Sequence, residues 1–161
     1  MKRLRTVIIF ALLVLMTVGF IWGNSMKSVE QSSAQSTPVA ESLQPVLDPQ
    51  EKMEKPDFHD LVRKLAHVAE FFTLGLFVLG FAVSLGAHLK RRFVSLPILM
   101  ALFVAVGDEY IQHFTGRGSL VTDVVLDFAG SLAGMGVAVL FLWVLRQIVR
   151  GKMTGEEQCN G

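Results

Sequence analysis

The sequence has little cysteine and few charged residues. Its one cysteine, Cys159, lies in the polar C-terminal tail, which excludes an internal disulfide, and no Cys/His spacing indicates a structural zinc site. Charged residues make up 18% of the 161 residues, whereas apolar residues make up 52%. This balance is atypical of a soluble domain and points to long apolar runs, which are typical of membrane spans.

Four apolar runs are long enough to cross a bilayer as helices. They cover residues 6–22, about 65–89, 93 to about 111, and about 123–149. Pro97, in the first turns of the third run, is tolerated in a membrane helix. We therefore predict an all-α fold, that of a polytopic membrane protein with four transmembrane helices.

The first run follows the basic segment MKRLR and ends at Trp22. A signal peptide also begins this way, but the length of the run and its interfacial tryptophan favour an uncleaved anchor. The polar stretch that follows shows no helical or alternating pattern. We predict an anchor over residues 1–22, a flexible extracytoplasmic loop over 23–60, a three-helix membrane domain over 61–152 and a cytoplasmic tail over 153–161.

The basic residues predict the orientation of the helices. Three clusters lie at one end of the predicted spans: Lys2, Arg3 and Arg5, then Lys90, Arg91 and Arg92, then Arg146, Arg150 and Lys152. Most acidic residues lie at the opposite end. The positive-inside rule therefore places both termini in the cytoplasm of a cell-membrane protein, and the polar loop outside.

Polar residues occur at the predicted outer ends of three spans, in RKLAHVAEFF, GDEYIQ and TDVVLDFAG. At ~1.5 Å per residue, Asp108 and Glu109 lie roughly 24 Å from Arg92, within the outer leaflet of a ~30 Å hydrocarbon core. A charge at the centre of a bilayer costs at least ~2.5 kcal/mol, so such residues are functional candidates by default. We expect the three ends to form one polar site at the outer membrane face.

Helical spacing selects the candidate residues of this site. They are Lys64, His67 and Glu70 on the second span, Asp108, Glu109 and Gln112 on the third, Arg117 in the next loop, and Asp123 and Asp127 on the fourth. Gly130 and Gly134 continue the face of the two aspartates at a spacing that allows close helix packing. Lys64 and Arg117 oppose five carboxylates, so some carboxylates must be protonated or a cation must join them.

The segments RKLAHVAEFFTLG (63–75) and DEYIQHFTGRGSLVTDVVLDFAGSLAG (108–134) closely resemble the VanZ-like family of small integral membrane proteins. The resemblance covers roughly residues 57–150, and the characteristic positions of the family correspond to the candidate residues named above. The sequence departs from the family pattern at two places. Phe71 stands where many members have tyrosine, and the loop before Arg117 reads FTG, without the proline of some relatives.

The resemblance implies a bacterial cell-envelope protein, because the founding member is associated with low-level resistance to the lipoglycopeptide antibiotic teicoplanin. It supplies no reaction, so whether the protein is an enzyme is left open, and no organic cofactor is indicated. It also implies that this chain could contribute to antibiotic resistance of the teicoplanin type.

Three functions fit these residues. In the first, an outward-facing site binds or modifies a lipid-linked or glycan envelope component. His67 or Glu70 would be a general base, and Lys64 and Arg117 would hold a phosphate or carboxylate. The carboxylates of Asp108, Glu109, Asp123 and Asp127 could hold a divalent cation through oxygen ligands, although no metal ligand is assigned because two basic residues compete for them.

The alternative is a non-catalytic scaffold or partner-binding protein of the cell-wall machinery, in which buried charges fix the register of the helices. A small proton-coupled transporter ranks third, because the ionisable residues occupy only the outer half of the spans and no inverted repeat is visible. The expected partners are the lipid bilayer and either a lipid-linked substrate or cell-wall proteins. A homodimer is compatible with the sequence, and no nucleic-acid partner is expected.

Overall fold

The computed structural model describes residues 2–50, 52–116 and 120–159, with side chains, apart from that of residue 29, up to residue 150. In these ranges the chain forms five helices: α1 Lys2–Ser25, α2 Val29–Leu47, α3 Lys55–Leu89, α4 Ser95–Phe114 and α5 Val121–Cys159. The described ranges contain no strand. The predicted all-α fold is confirmed.

Four of the described helices are long and apolar enough to cross a membrane: α1, α3, α4 and the Val121–Arg150 part of α5. This agrees with the predicted spans. Helix α3 begins at Lys55, well before the apolar run that starts near Leu65. The helix continues into polar sequence because backbone hydrogen bonding does not stop where hydropathy falls.

The four long helices alternate in direction, so the bundle has two chemically different ends. At the polar end, α1 and α4 finish at Ser25 and Phe114, and α3 and α5 begin. At the basic end, α3 finishes and α4 begins, and Arg3 of α1 donates a hydrogen bond to the carbonyl of Ala87 at 3.2 Å. Which end faces the cytoplasm stays a prediction from the basic residues.

The buried apolar core lies between α1, α3 and α4. Phe71, Leu74 and Val78 of α3 have no exposed surface, and they pack with Ile21 of α1 and Ala105 of α4. Many other large apolar side chains on the long helices are exposed. Exposure of this kind suits helices whose outer faces contact lipid.

Helices α3 and α5 make the most extensive contact in the bundle, and small residues bring them together. A Cβ added to Gly134 would lie 2.0 Å from the carbonyl oxygen of Phe72, and one added to Gly75 would lie 2.0 Å from that of Ser131. A Cβ added to Gly130 would lie 2.9 Å from the carbonyl oxygen of Val68, which is also in α3. The two backbones are therefore as close as glycine allows.

The polar region between α1 and α3 contains a helix that the sequence analysis did not predict. Helix α2 begins with a capping box, in which the amide of Gln31 donates to Ser28 Oγ and the amide of Ser28 donates to Gln31 Oε1. Its Ala40 is buried against Phe58 and Val62 of α3. The expectation of an unstructured loop here is wrong, because a cap and a short apolar contact form this helix without a long apolar stripe.

We expect Ala40→Asp to detach α2 from α3, because the new carboxylate would be buried against two apolar side chains without a partner. Trypsin should then cleave the membrane-embedded protein several-fold faster at Lys27 or Lys52, at unchanged protein abundance. Ala34→Asp, at an exposed position of the same helix, is the matched control. Equal cleavage rates for the two variants would contradict the packing of α2 on α3.

Asp48 closes the turn that follows α2. Its carboxylate accepts hydrogen bonds from the backbone amides of Met53 at 2.8 Å and Lys52 at 3.0 Å. These bonds favour the ionised form and lower the pKa of Asp48 below its ordinary value of 3.8. Their contribution to stability is therefore fully present above that value and is lost as the pH falls through the folded pKa.

Candidate functional site

A buried hydrogen-bonded group joins α1 to α4 at the polar end. Asp108, with 0% of its surface exposed, accepts hydrogen bonds from Ser25 Oγ at 2.5 Å and from Gln112 Nε2 at 2.7 Å. Thr115 Oγ1 donates to the carbonyl of Ser25 at 3.2 Å. Donors from two helices therefore hold the carboxylate of Asp108 in one position, as a buried polar group requires.

His67 of α3 and Asp127 of α5 reach the same buried point. His67 Nδ1 lies 3.8 Å from Asp108 Oδ2. One nitrogen or oxygen atom from each of His67, Asp108 and Asp127 lies within 4.8 Å of the other two. Three helices thus contribute one ionisable side chain each, while α1 supplies Ser25. We call these three side chains the His67 triad.

Two glutamates border the His67 triad. Glu109 is 5% exposed and accepts a hydrogen bond from the amide of Leu120, just before α5, at 2.6 Å. Glu70 accepts a hydrogen bond from Asn24 Nδ2 of α1 at 3.0 Å. Each glutamate therefore connects two parts of the chain. Such contacts fit a role in helix packing as well as a role in ligand binding.

The other ionisable residues that were predicted to belong to the site lie outside the His67 triad or outside the described residues. Lys64 Nζ forms an ion pair with Asp60 Oδ2, one helical turn away, at 3.0 Å, and the Lys64 side chain is 40% exposed. The positive charge of Lys64 is thus paired with a carboxylate near the start of α3. Asp123 is partly exposed in the first turn of α5. Arg117 lies outside the described residues.

A narrow cavity of about 30 Å³ reaches the His67 triad. Its lining includes Lys64, His67, Gln112, Asp123 and Asp127. A space of roughly 10–15 Å³ already holds a water molecule, so this cavity can accept a water or a single ion. It is too small for any larger ligand.

A larger polar pocket of about 160 Å³ lies between α2 and the polar ends of α1 and α3. Its lining includes Asn24, Ser32, Gln35, His67 and Glu70. These side chains offer hydroxyl, amide, imidazole and carboxylate groups at one place. We call it the polar pocket.

An apolar groove of about 540 Å³ runs along α1 and α3 next to the polar pocket. Leu13, Phe20 and Phe77 are among its lining residues, and Glu70 also lines it. Glu70 therefore borders both the apolar groove and the polar pocket. The site thus combines a polar compartment with an apolar one.

The sequence model of the VanZ/LLP1 family matches residues 8–142, which is most of the chain. The chain belongs to the VanZ/LLP1 family. No curated protein and no solved structure matches it significantly. The family and the four apolar helices together identify a multi-pass membrane protein of the VanZ/LLP1 type.

The VanZ/LLP1 match begins inside α1, whereas the sequence resemblance covered only residues 57–150. The family domain therefore includes α1 and α2. This agrees with the geometry of the site, because α1 donates Ser25 to Asp108 and Asn24 to Glu70.

The contributions of α1 and α2 to the site were not predicted from the sequence. Asn24 and Ser25 end the first predicted span, and the predicted topology places that end at the outer face with the other polar residues. The segment SVEQ, from Ser28 to Gln31, carries the spacing of a capping box. Both signals were present in the sequence, and both could have extended the predicted site.

Proposed function

We propose that this VanZ/LLP1 protein binds a lipid-linked component of the cell envelope at its polar end. The observation that carries the proposal is the shared border of the polar pocket and the apolar groove at Glu70. A molecule with a polar head and a long apolar chain would satisfy both compartments at once. The positive-inside rule supports an outward-facing polar end in the cell membrane.

The chemistry of the polar pocket supports a head group rich in oxygen atoms. Ser32 and Gln35 of α2, with Asn24 of α1, present hydroxyl and amide groups of the kind that bind sugars and phosphates. If the ligand is also modified, His67 or Glu70 would act as the general base. A contribution to teicoplanin-type resistance belongs to the same proposal, since the ligand would be a precursor or part of the envelope.

A non-catalytic scaffold is the second candidate, and one observation favours it. The hydrogen bonds of Asp108 with Ser25 and Gln112, and of Glu109 with Leu120, connect the ends of α1, α4 and α5. Buried polar groups of this kind can fix the arrangement of helices without any ligand. If the protein is a scaffold, loss of these hydrogen bonds would lower its abundance.

We expect Ala69→Trp to block ligand binding, because Ala69 is an exposed lining residue of the apolar groove and an indole there would fill it. Protein purified in mild detergent would be extracted with organic solvent, and the retained lipids identified and quantified by mass spectrometry. The wild type should retain one enriched amphipathic species, and Ala69→Trp should retain it at least several-fold less.

Ala133→Trp, at an exposed position on α5, is the matched control and should retain the lipid as the wild type does. If Ala69→Trp and Ala133→Trp retained the same lipids in the same amounts, the apolar groove would not be the binding site.

A further inference from the structure

We infer that the His67 triad binds one divalent transition-metal ion, with Zn²⁺ as the expected occupant. The inference concerns the polar end of the bundle, but it does not depend on the proposed lipid ligand. Its ligands would be His67 Nδ1 and one carboxylate oxygen each from Asp108 and Asp127. The three residues come from α3, α4 and α5.

The distances within the His67 triad approach those of a metal site. The three candidate ligand atoms lie within 4.8 Å of one another, and His67 Nδ1 lies 3.8 Å from Asp108 Oδ2. Around a tetrahedral zinc ion with bonds of ~2.0–2.2 Å, ligand atoms are roughly 3.3 Å apart. Small side-chain rotations would therefore close the site, and three protein ligands would leave a fourth position open.

Asp127 provides an independent indication that a cation binds here. It is 3% exposed, lines the narrow cavity, and forms no hydrogen bond or ion pair with the described residues. Four other carboxylates act on it, those of Asp108, Glu109, Asp123 and Glu70. The basic side chains of Arg63 and Lys64 also line the cavity, but both pair with Asp60. A buried carboxylate among like charges is costly, and a divalent cation bound to it would remove the cost.

The structure selects a different ligand set from the four carboxylates considered in the sequence analysis. Glu109 accepts the amide of Leu120, and Asp123 is only partly buried. His67 takes their place, which changes the expected metal. An imidazole nitrogen suits zinc and other transition metals, whereas Mg²⁺ and Ca²⁺ favour sites made only of oxygen.

Asp108 is already oriented as a metal ligand would be. Ser25 Oγ and Gln112 Nε2 each donate to one of its oxygens, and Ser25 is fully buried. Such partners fix the direction of a ligating carboxylate, and their loss typically costs ~10–100-fold in metal affinity. Ser25 is therefore a positioning residue for the proposed metal.

The test uses the full-length, tag-free protein in detergent, stripped with EDTA and titrated with ZnCl₂ against a chromogenic zinc chelator. The wild type should bind one Zn²⁺ per chain, confirmed by elemental analysis after gel filtration. Asp127→Asn should bind it at least ~10-fold more weakly. In EDTA, however, this variant should be at least as thermally stable as the wild type, because the substitution removes like-charge repulsion.

The thermal stability in EDTA distinguishes a variant that has lost the metal from one that has lost the fold. Ser25→Ala should also weaken zinc binding by ~10-fold. Asp57→Asn, at an exposed aspartate of α3, is the matched control and should bind like the wild type. Failure of the wild type to retain zinc, or wild-type affinity in Asp127→Asn, would overturn the inference.

These experiments distinguish failure of the zinc proposal from failure of the lipid proposal. Ala69→Trp, which fills the apolar groove, leaves the His67 triad intact and should bind zinc normally. Zinc binding without lipid retention would support the metal site alone. Lipid retention without zinc binding would overturn the metal site and leave the proposed function standing.

Discussion

Gly134→Ala is expected to push α5 away from α3 and to lower the free energy of unfolding by about 3 kcal/mol, the upper part of the usual range for overpacking. The new Cβ would lie 2.0 Å from the carbonyl oxygen of Phe72, and this contact cannot relax by a side-chain rotation because the obstacle is backbone. The loss should be visible as a lower unfolding midpoint in detergent and as reduced abundance in membranes.

Gly136→Ala provides the matched control for this substitution. Gly136 lies on the same helix, two residues further on, and a Cβ there meets no atom within 4 Å. The variant should therefore fold like the wild type. If both alanine variants were equally stable, α3 and α5 could not be as close as the small-residue contact requires.

Replacing Asp108 should produce two different results, depending on the substitute. Asp108→Ala leaves the buried hydroxyl of Ser25 without its acceptor and leaves Gln112 Nε2 with only a long bond of 3.5 Å to Ser25 Oγ, at roughly 1–3 kcal/mol for each unsatisfied group. Asp108→Asn keeps an oxygen for Ser25, and the Gln112 amide can turn to pair with the new amide group. Asparagine should therefore preserve membrane abundance and the unfolding midpoint, whereas alanine should reduce both.

The asparagine variant decides between the two candidate functions. A working site needs the ionisable group itself, so Asp108→Asn should abolish the proposed contribution to teicoplanin resistance while its abundance stays normal. A scaffold needs only the hydrogen bonds, so the same variant should behave like the wild type. Measuring abundance beside sensitivity separates these outcomes.

The membrane helices could be predicted because lipid imposes a strong constraint on sequence. Inside a bilayer every backbone polar group must be satisfied within the segment, so a long apolar run has few alternatives to a helix. The spacing of Gly130 and Gly134 indicated a close helix contact for a similar reason. That Gly75 faces Ser131 could not be predicted, because it depends on how α3 is positioned along α5.

The polar site could be predicted only in outline. Placing His67, Asp108 and Asp127 at one end requires only the topology, but their convergence depends on how each helix is rotated about its axis. Lys64 illustrates the limit, since its long side chain pairs locally with Asp60. Local ion pairs at this spacing compete with tertiary contacts, and helical spacing alone does not decide between them.

The apolar groove that ends at Glu70 determines how a ligand would be supplied. A molecule entering along α1 and α3 arrives sideways from the leaflet, so its effective concentration is its mole fraction in the lipid and not its molarity in water. A modest intrinsic affinity would then be sufficient for high occupancy. Occupancy should stay constant when a vesicle suspension is diluted with buffer, and it should fall when the same vesicles are fused with ligand-free lipid.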